Sequence, residues 1–110
     1  MQRFVKTLRL SDDPAAIAAY RHAHDTIWPE IAQGIRDAGI ASMELYLHGT
    51  LAVMVMELPD GADHDAVMER LAAFPRQQEW EEYVGTWQRC ESGSTSAGKW
   101  RPMEKIFTLR

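Results

Sequence analysis

The chain has 110 residues, a single-domain length, and its 45% hydrophobic and 25% charged residues are the balance of a folded globular protein. A net charge of −4 with scattered Lys and Arg offers no basic track for phosphates, so nucleic acid is not an expected partner. One cysteine, Cys90, excludes an internal disulfide framework and a thiol-rich metal centre, and the longest apolar run, 51–56, is far too short to cross a bilayer.

Arg3 and Lys6 fall where a signal peptide needs its apolar stretch, so a cytoplasmic setting is expected. Residues 4–10 read as a first strand. Asp13-Pro14 then supplies an N-cap carboxylate and a proline at the first helical position. The helix runs toward Gly39, a residue suited to a left-handed stop, with a kink or restart expected between Thr26 and Pro29. Residues 42–47 and 51–58 form two strands around the short connection His48-Gly49-Thr50. On the first of these, Met43, Leu45 and Leu47 point one way and Ser42, Glu44, Tyr46 and His48 the other. The second is apolar on both faces and should be central. Pro59-Asp60-Gly61 is a turn, and a helix follows over 63–74, broken at Pro75 and resumed over 77–89. A loop at 93–98 leads to a fourth strand at 103–109, and Lys99-Trp100-Arg101 either orders over a site or connects to that strand. The order β-α-β-β-α-β predicts one domain over 1–110 of the ferredoxin-like α+β class, an antiparallel sheet with helices on one face. The uncovered face is expected to pack on a second copy, giving a homodimer, or to wrap a ligand.

The first helix carries an inward stripe of Ile17, Tyr20, His24, Ile27 or Trp28, Ile31, Ile35 and Ala38 at steps of three and four. A phenol and an imidazole one turn apart on that stripe are costly to bury unless partnered. His24 is therefore either a core histidine bonded to a backbone carbonyl or a proton-transfer group, and Tyr20 is placed to orient it. His22 lies on the far side of the helix, and His48 and His64 are expected at the surface. No metal site is expected, because His22 and His24 diverge and no HExxH-type grouping exists. Trp80, Tyr83 and Trp87 form an aromatic stripe, core or ligand platform, beside the acidic run Glu79, Glu81, Glu82. An aromatic face next to a carboxylate suits a small polyhydroxy ligand. Glycine-rich phosphate cradles and nucleophile motifs are missing.

The run Tyr20-x-x-x-His24-x-x-Ile27-Trp28-Pro29-Glu30 resembles the signature of the L-rhamnose mutarotase family, and the likeness extends to Met56-Glu57, Trp80-x-x-Tyr83 and Glu104-Lys105-Ile106-Phe107. The resemblance implies a ferredoxin-like dimer that interconverts the anomers of a 6-deoxy-L-hexose without a cofactor. It places the proton donor on His24 and sugar contacts on Tyr20 and Trp80, with Trp28, Met43 and Glu81 among the substrate-binding positions. Met43 stands where the rhamnose enzymes have tyrosine, and Glu81 where they have a second tryptophan. L-Fucose is therefore expected over L-rhamnose, with Glu81 accepting hydroxyl hydrogen bonds that an indole cannot. Two other readings share the fold: a haem-degrading or cofactor-free monooxygenase, in which His24 would be an axial ligand, and a sugar-sensing module without catalysis.

Overall fold

Alternation decides which way each strand faces. In β1 (Gln2–Arg9) Lys6 and Leu8 are buried, and in β3 (Leu51–Leu58) every second residue, Ala52, Met54, Met56 and Leu58, is buried. Pairing is antiparallel, with Leu8 opposite Ala52 and Phe4 opposite Met56. On the other side of β3, β2 (Ser42–His48) sets Met43 against Met56, Leu45 against Met54 and Leu47 against Ala52. These rows make one apolar face, which the helices cover. The opposite face carries Val5, Val53, Val55 and Tyr46 and stays partly open. The computed structural model describes residues 1–91 and 93–110.

The sheet order is β2-β3-β1-β4, so β3 is internal as its composition predicts, and the fold is ferredoxin-like. Helix α1 (Pro14–Asp25) starts where the Asp13 side chain accepts from the Ala15 N–H at 3.0 Å. It stops before Pro29, which lacks the N–H needed to continue and instead opens α2 (Pro29–Asp37). The predicted restart is there, and Gly39 at φ 101 ends α2 in the left-handed region. Helices α3 (His64–Ala72) and α4 (Gln77–Gly85) follow, the latter four residues shorter than the sequence suggests. Tyr20, Ile31, Leu71 and Trp80 close the core against Met54, Met56 and Leu58.

The last third of the chain departs from expectation. Residues 96–98 of the expected loop belong instead, with Lys99, to the single-turn helix α5 (Ser96–Lys99). The fourth strand is not at 103–109: β4 is Arg101–Pro102, opposite Thr7 and Lys6. Pro102 has no N–H for the ladder, and after one more bond, Met103 N–H to the Val5 carbonyl at 2.8 Å, the chain leaves the sheet. Ile106, Phe107 and Leu109 are then 89%, 74% and 84% exposed. Their strand-like residue types are left uncovered within one chain.

Candidate active site

The break between α1 and α2 builds the site. One helical turn brings the Tyr20 and His24 rings to 4.5 Å between centroids. His24 Nδ1 lies 2.9 Å from the Tyr20 carbonyl oxygen. A carbonyl only accepts, so Nδ1 carries the proton and the neutral ring presents its lone pair at Nε2. Among the described residues Nε2 has no hydrogen-bond partner. Of the two readings of a stripe histidine, the bond to a backbone carbonyl is observed, and it leaves the second nitrogen unpartnered among the described residues. His24 lines two adjoining cavities, one of about 430 Å³ shared with Ile27, Arg36, Ser42 and Met43, the other of about 350 Å³ shared with Tyr20, Arg21, Asp25 and Tyr46.

Burial holds the His24 pKa below its ordinary value, partly opposed by the Tyr20 carbonyl and by the charges of Glu81 and Asp25. The Tyr20 phenol is buried and pushed up to about 12 by desolvation; Gln88 opposes the shift and Glu81 adds to it. Gln88 Nε2 donates to Tyr20 Oη at 3.3 Å, leaving the phenolic proton for another acceptor. Gln88 is itself fixed by a backbone bridge to Leu10.

Trp80 stands edge-on to His24 at 5.5 Å and to Trp28 at 5.2 Å. Trp28 stacks on Tyr83 at 5.2 Å and carries the Arg76 guanidinium 4.3 Å from its centroid. Tyr83 meets Trp87 at 4.9 Å; in this stripe Trp80 is core, Tyr83 is exposed, and Trp87, past the end of α4, is half-buried against the core. The structure therefore gathers Tyr20, His24, Trp28 and Trp80 into one cluster and sets Met43 on the cavity wall across from them. Glu81 lies on α4 beside Trp80, buried, with both carboxylate oxygens already engaged: Oε1 by Lys99 Nζ at 2.9 Å and Oε2 by Gln77 Nε2 at 2.7 Å. Sequence reasoning missed Gln77 and Gln88, and it singled out Lys99 only within the run 99–101, not as the partner of Glu81. A lysine after a Ser/Gly-rich stretch and glutamines on a polar helix give no inward signal. His22 and His48 are exposed as expected; His64 is half-buried, accepting from Lys6 Nζ at 2.7 Å. Among the described residues no three His, Cys, Asp or Glu side chains converge as a metal would require, and no helix is long and apolar enough to cross a membrane.

A cavity lined by an oriented neutral imidazole and a protonated phenol, backed by an aromatic cluster on a ferredoxin-like frame, suits a small sugar-handling isomerase of the mutarotase class. A profile described as L-rhamnose mutarotase matches residues 3–109, and the chain belongs to that family. An L-fucose mutarotase of Xanthomonas campestris pv. campestris is 38% identical over 111 residues, covering 99% of this chain and 89% of the relative. An L-rhamnose mutarotase of Acidiphilium cryptum is 36% identical over 69 residues, covering 56% of this chain and 66% of the relative. The crystal structure of an L-rhamnose mutarotase from Formosa agariphila superposes with a TM-score of 0.70 at 18% identity over the full length of both chains, a likeness of fold. The protein is accordingly a rhamnose/fucose-type mutarotase, an isomerase that interconverts sugar anomers.

Proposed function

We propose that this mutarotase acts on L-fucose in preference to L-rhamnose, with His24 as the principal acid/base and Tyr20 as the assisting hydroxyl. The observation that carries the mechanism is the Nδ1 bond of His24 to the Tyr20 carbonyl, which sets the tautomer and leaves Nε2 unpartnered among the described residues on a ring that lines both cavities. Anomer exchange needs O1 of the pyranose to lose a proton while ring O5 gains one. Rotation about C1–C2 then exposes the other aldehyde face, and closure reverses both transfers. Nε2 takes or returns one of these protons, and the Tyr20 phenol, protonated at neutral pH, donates a hydrogen bond to the oxygen that gains charge. No redox step or group carrier is needed. Ile27, Ile35, Met43 and Leu45 supply the apolar wall for the sugar's C–H face, with Trp80 packed behind His24 and Trp28 behind Trp80.

The preference for L-fucose is supported by the Xanthomonas relative's description and its near-complete overlap with this chain. Met43 on the cavity wall supports it too, being smaller in its hydrogen-bonding reach than a tyrosine. We place a homodimer on the partly open sheet face and the exposed tail residues Ile106, Phe107 and Leu109. A cytoplasmic setting accords with the free thiol of Cys90. Saturation-transfer NMR on equilibrated L-fucose and L-rhamnose tests the substrate assignment directly. Faster exchange between the anomeric protons of L-fucose is expected; greater acceleration of L-rhamnose would reverse the preference, and binding without acceleration of either would leave a sugar sensor.

A further inference from the structure

Lys99 lies outside the aromatic cluster, on the short helix that the sequence did not announce, yet its side chain is 1% exposed and that of Glu81 8%. Its ammonium donates to Glu81 Oε1 at 2.9 Å and to the Glu81 backbone carbonyl at 2.6 Å. Gln77 completes the arrangement from one turn earlier on α4. Two charges taken this far out of water persist only where geometry satisfies both. The inward face of α4 is Gln77, Trp80, Glu81 and Val84, so the ion pair and the indole beside His24 share one helix face.

We propose that Lys99 is a positioning residue of the active site: by locking Glu81 it holds the Trp80 face of α4 against His24 and neutralises a buried carboxylate beside the imidazole. This deepens the reading of His24 as proton carrier and rests on it. The charge of Glu81 acts on both His24 and Tyr20. The titratable or charged groups around His24 are Tyr20, Arg21 and Asp25 on α1, Arg36 on α2 and Glu81 on α4; β2 contributes Met43, Leu45 and Tyr46. Lys99, bonded to Glu81, offsets its field at the imidazole.

The test is a charge cycle read by NMR titration of the His24 imidazole, assigned with His24→Gln, alongside melting and anomer exchange. Glu81→Gln leaves an ammonium without its carboxylate, so the His24 midpoint should fall. Lys99→Met leaves a carboxylate without its ammonium, so the midpoint should rise. In the Glu81→Gln/Lys99→Met double the midpoint should return to wild type. Each single variant should melt lower and lose about tenfold in kcat/KM, and the double should recover to within about threefold of wild type. Opposite shifts that cancel are not what lost packing produces. Midpoints that stay put or move the same way, or a double no better than the singles, overturn the proposal. Full turnover in His24→Gln defeats the reading beneath it, whereas absent shifts in an enzyme that needs His24 defeat the proposal itself.

Discussion

In the proposed mechanism the chemistry depends on the His24 imidazole being neutral, oriented and reachable at once. Replacing it by glutamine keeps a polar side chain of similar reach and removes the proton transfer, so anomer exchange should fall about 10²–10⁴-fold while the fold persists. Wild-type rates in His24→Gln would remove the residue from the mechanism. The pH dependence has a definite sign. Because burial lowers the folded-state value below 6.5, the unfolded chain takes up a proton first on acidification. Stability contributed by the neutral ring is therefore present above 6.5 and lost as pH falls through the lower folded value, and His24→Gln should flatten that part of the stability profile. A profile unchanged by the substitution would contradict the burial argument. Tyr20 makes a separate case. Tyr20→Phe keeps the ring against His24 but leaves the buried Gln88 donor unpaired, at a cost of about 1–3 kcal/mol, and removes the assisting hydroxyl. A rate loss smaller than that of His24→Gln, with a lower melting point, is the expected result; an unchanged rate would deny the phenol any part.

Between elements, the joint of α2 and α4 is fixed by Arg76, the single non-glycine residue at positive φ among those described (φ 69). Its guanidinium bonds to Glu79 at 3.1 Å, pairs with Glu30 of α2 and lies over Trp28. Strain at the backbone is held by the side chain's contacts. Two substitutions separate these contributions. Arg76→Ala loses the clamp and keeps the unfavourable φ, whereas Arg76→Gly loses the same clamp and relieves it. The glycine variant should melt a few degrees above the alanine variant, with both showing a raised KM as Trp28 loosens. Equal melting points would mean that Arg76 can leave the left-handed region at no cost. Such a joint was not legible beforehand, because Pro75 marks a helix break without saying which residue turns the corner. What was legible followed from period and from residues with few options: Asp13-Pro14 at a helix start, Gly39 at a stop, Pro29 at a restart, alternation in β2 and β3. The Tyr20 and His24 pairing was legible too, since a one-turn spacing on an apolar stripe fixes proximity. Glu81 was read as free for a hydroxyl because its partner, Lys99, is 18 residues away in sequence, and composition carries no trace of such a pair.

For the molecule as a whole, the tail beyond β4 decides how complete a single chain is. Residue types at 106, 107 and 109 predict burial, and the fold gives them none: the helices already cover one sheet face, and β4 ends at Pro102. Three large side chains at 74–89% exposure are an unusual load for a chain of this size. At about 25 cal/mol per Å², covering such groups is worth on the order of 1.5–3 kcal/mol each. The same chain offers a matching surface, the open sheet face with Val5, Val53, Val55 and Tyr46, and a two-fold arrangement would let each tail cover the other copy's face. Two variants test this without disturbing the Met103 N–H bond to Val5 or the buried Lys99 and Trp100. A chain ending at Met103 and a full-length Phe107→Asp should both scatter light as one chain, and the unaltered protein should scatter as two. If all three have the same mass, whether of one chain or two, the tail does not hold copies together. The apolar residues at its end would then have to be explained by a different partner.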